Sequence, residues 1–268
     1  MHEIIDDILV VKVGSNVLAD PNGSGQLNYD NFKHIGRQVV EHQQAGLHVA
    51  IVSSGAIMAG MVAANLSSQP KSFDIELVEL QRLASIGWRD VLNTWSNSLL
   101  GATVGELLLT ERELAMPEES QEALGVIHAL LRHNDVPVIN ENDAVTHREI
   151  TFGDNDILAA TLAARIKQSP LFGENVRLAL LSNINGVFED PADPDSVIPV
   201  ISNLAEHRNL ALPTKSEYGS GGMLSKFMAA EIAGRVGVEM WLANGNQKNA
   251  IRLALAGEIG THFRLKTN

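Results

Sequence analysis

Apolar positions along this chain alternate between two patterns, short β-branched runs and longer stretches in which hydrophobic residues recur three or four apart. Ile8–Val13 (ILVVKV), 47–52, Val104–Leu109, 136–139 and 176–181 are near-continuous apolar runs, the pattern of strands buried on both faces of a parallel sheet. Between them, 28–45 carries Phe32, Ile35, Val39 and Val40 on one helical face with Gly46 placed to end it, and 57–66 is a small-residue helix. A helix over 74–100 presents Val91, Leu92, Trp95 and Leu99, with a break expected at Gly87; another opens at Pro117, with Glu118 and Glu119 suited to its positive end, and runs to about His133. A helix over 155–167 then aligns Ile157, Leu158, Leu162 and Ile166. The order up to Lys167 is β-α-β-α-α-β-α-β-α.

The remainder is less regular. A polar loop at 189–196, a strand at 197–201 and a weakly patterned stretch up to Glu217 precede a helix through Met228, Ile232 and Val236. A strand at 238–242, a helix at 246–256 and a closing strand at 260–265 complete the chain. Strands alternating with helices predict an α/β fold built on a parallel sheet.

Polar residues gather at one strand-to-helix unit. Asn140-Glu141-Asn142-Asp143 ends the strand that begins at Val136, and Gly153-Asp154-Asn155-Asp156 opens the helix that follows. Ligands in open parallel sheets bind at the carboxyl ends of strands, so these carboxylates and amides lie where chemistry is expected. The second cluster would also serve simply to start a helix, because Asp and Asn are favoured caps and turn formers. The first is longer than a turn requires.

Lys12 interrupts an otherwise apolar strand and lies beside the Gly14-Ser15-Asn16 turn. It fits either an edge-strand lysine facing solvent or a cation at the strand's carboxyl end, where glycine lets a phosphate approach the backbone. Ser53-Ser54-Gly55-Ala56 is a second strand-turn-helix junction able to aim N–H donors at an anion, and also ordinary punctuation of a βαβ unit. Gly219-Ser220-Gly221-Gly222-Met223-Leu224-Ser225-Lys226 gives the backbone freedom to wrap an anion and supplies a lysine one turn into a helix; the alternative is a flexible surface loop. Neither G-x-x-x-x-G-K-[ST] nor G-x-G-x-x-G occurs.

Composition narrows the chemistry. With 268 residues, 45% of them hydrophobic, the chain can bury a large core. It has no Cys, which excludes disulfides and thiolate chemistry and fits a reducing compartment. No apolar stretch reaches membrane-spanning length and the start lacks a signal-peptide pattern, so the expected location is cytoplasmic. A formal net charge of −12 argues against a nucleic-acid surface. The His residues form no H-E-x-x-H motif. Two lysines at glycine turns with carboxylates and amides between them suit phosphoryl transfer from a nucleotide to a small cationic or zwitterionic acceptor.

The segments KVGSNVL (12–18), VSSGAIMAG (52–60), VPVINENDAV (136–145), FGDND (152–156), SNINGVFEDP (182–191) and GSGGMLSK (219–226) resemble, in order and spacing, the amino-acid kinase family and, within it, the branch that phosphorylates glutamate. The resemblance spans nearly the whole chain. It implies one three-layer α/β domain over 1–268, an open, mainly parallel sheet between helices, with the acceptor site in about 1–170 and the nucleotide site in about 171–268. The activity implied is ATP-dependent phosphorylation of the γ-carboxylate of L-glutamate, the first step toward proline, with Mg²⁺ carried on the nucleotide phosphates and no metal site on the protein. Lys12 and Lys226 would neutralise the transferring phosphoryl group and Asp156 would hold them. Ser54, Asp143 and Asn155 fall where the family binds glutamate, and Lys12, Ser182, Asn183 and Ser220-Gly221-Gly222-Met223-Leu224-Ser225-Lys226 where it binds ATP. Dimers or tetramers and feedback inhibition by proline are also implied. Aspartate, N-acetylglutamate or carbamate as acceptor, and a catalytically silent ligand sensor, are the alternatives. Ser182-Asn183 stands where the family usually has Thr-Asp, and Gly87-Trp88 where it has Gly-Gln. The RNA-binding-like C-terminal domain of many members is not expected, the sequence stopping at Asn268.

Overall fold

In the computed structural model, which describes residues 4–66, 75–145, 154–211 and 222–265 (Asp154 by its backbone alone), an eight-stranded sheet runs through the molecule. Its first strand, β1 (Ile8–Val13), is fully buried and parallel to both its neighbours, β2 (His48–Ser53) and β5 (Val176–Ser182). Beyond β2 lie β4 (Val136–Glu141) and then β3 (Val104–Leu109) at the edge. Beyond β5 lie β7 (Glu239–Asn244), β8 (Thr261–Phe263) and the short β6 (Val200–Ile201). All pairings from β3 to β7 are parallel; β8 runs antiparallel to β7, and β6 parallel to β8. β1 is therefore a central strand, and the edge-strand reading of Lys12 falls.

Helices cover both faces, as parallel strands require. On one side pack α1 (Ser15–Leu18), α2 (Tyr29–Gln44), α3 (Ala56–Ala63), α4 (Leu77–Ser98) and α9 (Ala250–Leu255); on the other, α5 (Glu111–Ala115), α6 (Pro117–Arg132), α7 (Asp154–Gln168) and α8 (Met223–Gly234). β1 divides itself between these cores by the two-residue pleat: Leu9, Val11 and Val13 face α1–α4, while Ile8 and Val10 face α6–α8. Lys12 is next in the second series. Its parity turns it toward α7 and α8.

The expected break at Gly87 is absent, since α4 runs unbroken from Leu77 to Ser98. A Cβ at Gly87 would lie 2.1 Å from Ala56 O, and one at Gly60 would lie 1.9 Å from Leu83 O. These glycines let α3 and α4 pack backbone against backbone. Three short elements lie outside the periodic pattern: α1, α5, and a 3₁₀ helix at Leu204–Ala211 within the weakly patterned stretch. The last strand pair is also shorter than the apolar runs suggest, with β6 reduced to two residues.

Candidate active site

The carboxyl ends of β1, β2 and β4 open on one rim, onto which α7 and α8 point their N-termini. Asp156 stands in the first turn of α7 and Lys226 in the first turn of α8, whereas Lys12 arrives from β1. The three meet. Lys12 Nζ lies 2.6 Å from Asp156 Oδ1, and Lys226 Nζ lies 3.3 Å from Asp156 Oδ2, which also accepts a hydrogen bond from Ser225 Oγ at 2.8 Å. All three charged side chains are buried, Asp156 at 1% exposure and each lysine at 8%.

Burial alone would raise the Asp156 carboxyl above its ordinary range, but the Lys12 and Lys226 ammoniums and the hydrogen bonds from Lys12 and Ser225 outweigh it, so its pKa is lowered. Lys226 moves the other way relative to its charged form. Burial and the Lys12 charge outpull Asp156 and lower its pKa. A cation in the first turn of a helix also opposes the helix dipole, so nothing in α8 itself favours a lysine there. Two cations share one carboxylate, which leaves the cluster with a net positive charge at neutral pH.

Gly14 adjoins this cluster. Its φ of −73° suits any residue, and what matters is space: a Cβ there would lie 3.3 Å from Leu181 O and 3.6 Å from Lys12 Nζ. The glycine keeps a side chain off the Lys12 ammonium. Gly55, by contrast, is needed for its conformation, with φ of 105° at the start of α3 directly after Ser53-Ser54.

Asn155, beside Asp156, ties the strand ends together. Its Nδ2 lies 3.1 Å from Ser54 Oγ, 3.0 Å from Asn140 Oδ1 and 3.3 Å from Ser53 O, and its Oδ1 accepts from Glu141 N at 3.2 Å. Ser54 N donates to Val13 O at 3.0 Å, which locks the β2 exit onto β1. Ser53, fully buried, accepts from the Trp95 indole at 2.8 Å.

The structure thus brings together Lys12, Asp156, Lys226 and Ser225, and next to them Asn155 and Ser54. Asp143 is half-buried in the turn after β4. Ser182 ends β5 beside Asn244 of β7, and exposed Asn183 follows it. Gly222 and Met223 begin α8, with Leu224 half exposed, and Ser225 Oγ also donates to Gly222 O at 3.1 Å. Ser220 and Gly221 lie outside the described residues. Asn140 and Trp95 are the contributors that pattern reading left unassigned; Asn140 was visible as a polar residue ending a buried strand, whereas Trp95 read only as core.

A model of the amino acid kinase family matches residues 7–244. The chain belongs to the amino acid kinase family. A glutamate 5-kinase from Clostridium acetobutylicum is 37% identical over 262 residues, covering 95% of this chain and 93% of that protein. Glutamate 5-kinases from Haemophilus influenzae and Thermus thermophilus are each 36% identical, covering 95% and 96% of this chain and 68% and 67% of theirs. Among solved structures, carbamate kinase from Giardia lamblia bound to AMP-PNP superimposes with a TM-score of 0.66 at 15% identity, over 97% of this chain and 99% of that one. UMP kinase from Bacillus anthracis gives 0.63 at 15% identity over 96% of each. At that identity the likeness is one of fold. In this family fold, the paired-lysine cluster lies on the rim where the central strands end.

Proposed function

We propose that this chain is a glutamate 5-kinase, transferring the γ-phosphoryl group of ATP to the γ-carboxylate of L-glutamate and releasing ADP. The observation that carries the reading is the Lys12–Asp156–Lys226 cluster, two ammoniums fixed by one buried carboxylate between two helix N-termini. The curated relatives, glutamate 5-kinases over nearly the whole chain, support the choice of acceptor.

A carboxylate is ionised at neutral pH and needs no general base to attack phosphorus. What the reaction requires is alignment and neutralisation of charge on the transferring group. Lys12 and Lys226 supply that charge from positions set by Asp156, so little reorganisation accompanies the transfer. The attacking carboxylate oxygen forms the new P–O bond as the bond to ADP breaks. Mg²⁺ would arrive on the nucleotide: among the described residues no group of three His, Asp or Glu side chains gathers to hold a metal, and Asp156 is already engaged by both lysines. Bound there, it would neutralise phosphate charge.

On this reading the acceptor occupies the rim of the N-terminal half, about 1–170, near Ser54, Asn155 and Asp143. The nucleotide lies over the C-terminal half, about 171–268, near Ser182, Asn183 and the start of α8. A cytoplasmic setting, assembly as dimers or tetramers and feedback by proline belong to the same proposal and rest on the resemblance. No described helix is long and apolar enough to cross a membrane. The test is incubation with MgATP, hydroxylamine and a panel of acceptors. L-Glutamate should give the γ-hydroxamate, with D-glutamate, aspartate and N-acetylglutamate reacting far more slowly. Preference for aspartate, N-acetylglutamate or carbamate would move the substrate, and ATP binding without turnover on any acceptor would leave a sensor.

A further inference from the structure

The Asn155 amide is spent inside the protein. Its Oδ1 lies 3.2 Å from Glu141 N and its Nδ2 lies 3.3 Å from Ser53 O. A backbone N–H can only donate and a backbone carbonyl can only accept, so these two main-chain groups fix which way the amide is turned. Nδ2 is then the donor to Ser54 Oγ at 3.1 Å and to Asn140 Oδ1 at 3.0 Å. Ser54 Oγ must accept in that contact, and its own hydrogen is left to point elsewhere. Among the described residues none takes it. Ser54 is half-buried where β2 leaves the sheet, with its backbone N–H held by Val13 one residue beyond Lys12, so its hydroxyl opens on the lysine rim.

We propose that Asn155 is a positioning residue that fixes Ser54 as a hydrogen-bond donor to an oxygen able only to accept, a carboxylate of the acceptor substrate, without itself touching that substrate. This rests on the glutamate reading and refines it, since the resemblance alone would set Asn155 on glutamate as an equal of Ser54. A neutral amide whose donors and acceptor are all met by the protein has little left to offer a ligand, whereas a hydroxyl with its acceptor side occupied has one direction for its hydrogen.

A double-mutant cycle tests this, with kcat and both KM values measured for wild type, Ser54→Ala, Asn155→Ala and the pair. Ser54→Ala and Asn155→Ala should each raise KM for glutamate about tenfold or more, the scale of a hydrogen bond to a charged group, with KM for ATP within about twofold. In the Ser54→Ala background Asn155→Ala should add little, and Ser54→Thr should recover most of the affinity. Penalties that multiply in the double variant, or a glutamate KM unmoved by Ser54→Ala, overturn the inference. If Asn155→Ala does not fold, Asn155→Asp replaces it: its carboxylate would take the Ser54 hydrogen, so its KM penalty should vanish in the Ser54→Ala background, and persistence there overturns the inference. Absence of glutamate-dependent turnover in the wild type overturns the functional reading and this one together; normal wild-type turnover with multiplying penalties overturns this one alone.

Discussion

Lys12 Nζ stands 2.6 Å from Asp156 Oδ1, joining the central strand of the sheet to the first turn of α7. The contact is possible because Lys12 shares the pleat face of Ile8 and Val10, beneath which α7 packs. Its counterpart Lys226 reaches the other oxygen of the same carboxylate from α8, in a separate part of the sequence. Folding thus assembles a net positive cluster that neither half of the chain contains alone.

If that cluster acts on charge developing during transfer, Lys226→Ala should lower kcat by about 10²-fold or more while either KM changes much less. Lys12→Ala should behave alike. Steady-state kinetics with MgATP and glutamate check this, and near-normal kcat in Lys226→Ala would remove the lysine from the transfer step.

The same geometry sets a pH dependence. Burial and the Lys12 charge hold the Lys226 pKa below the ordinary lysine value of 10.5, and Asp156 opposes them. The protonated form is present below the shifted value and lost above it, so kcat should fall as pH rises through a point below 10.5. Asp156→Asn removes the one influence that raises this pKa and should move the alkaline limb to still lower pH. A limb that stays in place in Asp156→Asn would assign it to another group.

Much of this arrangement was legible in the residues. β-branched runs such as Ile8–Val13 have one stable use, a strand covered on both faces, and the apolar faces of α2 and α6 recur at helical spacing. The capping box of α5, with Thr110 and Glu113 bonded reciprocally, was also present in the sequence, but a helix of five residues makes too short an apolar stripe to stand out. What local pattern does not contain is strand order. Asn155 meets Ser54 and Asn140 only because β4 pairs with β2, and no periodicity in either segment specifies that neighbour. Gly87 misleads for a related reason: glycine weakens an isolated helix, and its use here is visible only once Ala56 and Gly60 of α3 lie against it.

That contact gives a stability prediction. In an ordinary helix interior Gly→Ala is stabilising by up to about 1 kcal/mol. At Gly87 the added Cβ would sit 2.1 Å from both Ala56 O and Gly60 N, backbone atoms that can move only if α3 moves. Overpacking of this kind costs about 1–3 kcal/mol or more, so Gly87→Ala should melt lower than wild type by several degrees. Thermal unfolding followed by circular dichroism decides the sign, and a raised Tm would mean that α3 and α4 are not held in this close packing.

Asp156 should matter as much to acid stability as to turnover. Its carboxyl is held below the ordinary value of 3.8 because both lysines and the Lys12 and Ser225 hydrogen bonds outweigh the burial that would raise it. Between the lowered folded value and 3.8, the unfolded chain binds a proton that the folded chain does not, so stability rises with pH across that window. The contribution is present in full above 3.8 and is lost as pH falls through the folded value. Asp156→Asn abolishes it and leaves two buried ammoniums facing each other, which should cost about 3–5 kcal/mol at neutral pH, the usual penalty for breaking a buried ion pair. Denaturant unfolding of wild type and Asp156→Asn should therefore show a large gap at pH 7 that narrows once the pH drops below about 3.8, because only the wild type has a low-lying carboxylate left to protonate. A gap unchanged down to the acid transition would mean that the lysines, rather than the charge on Asp156, set the stability of this rim.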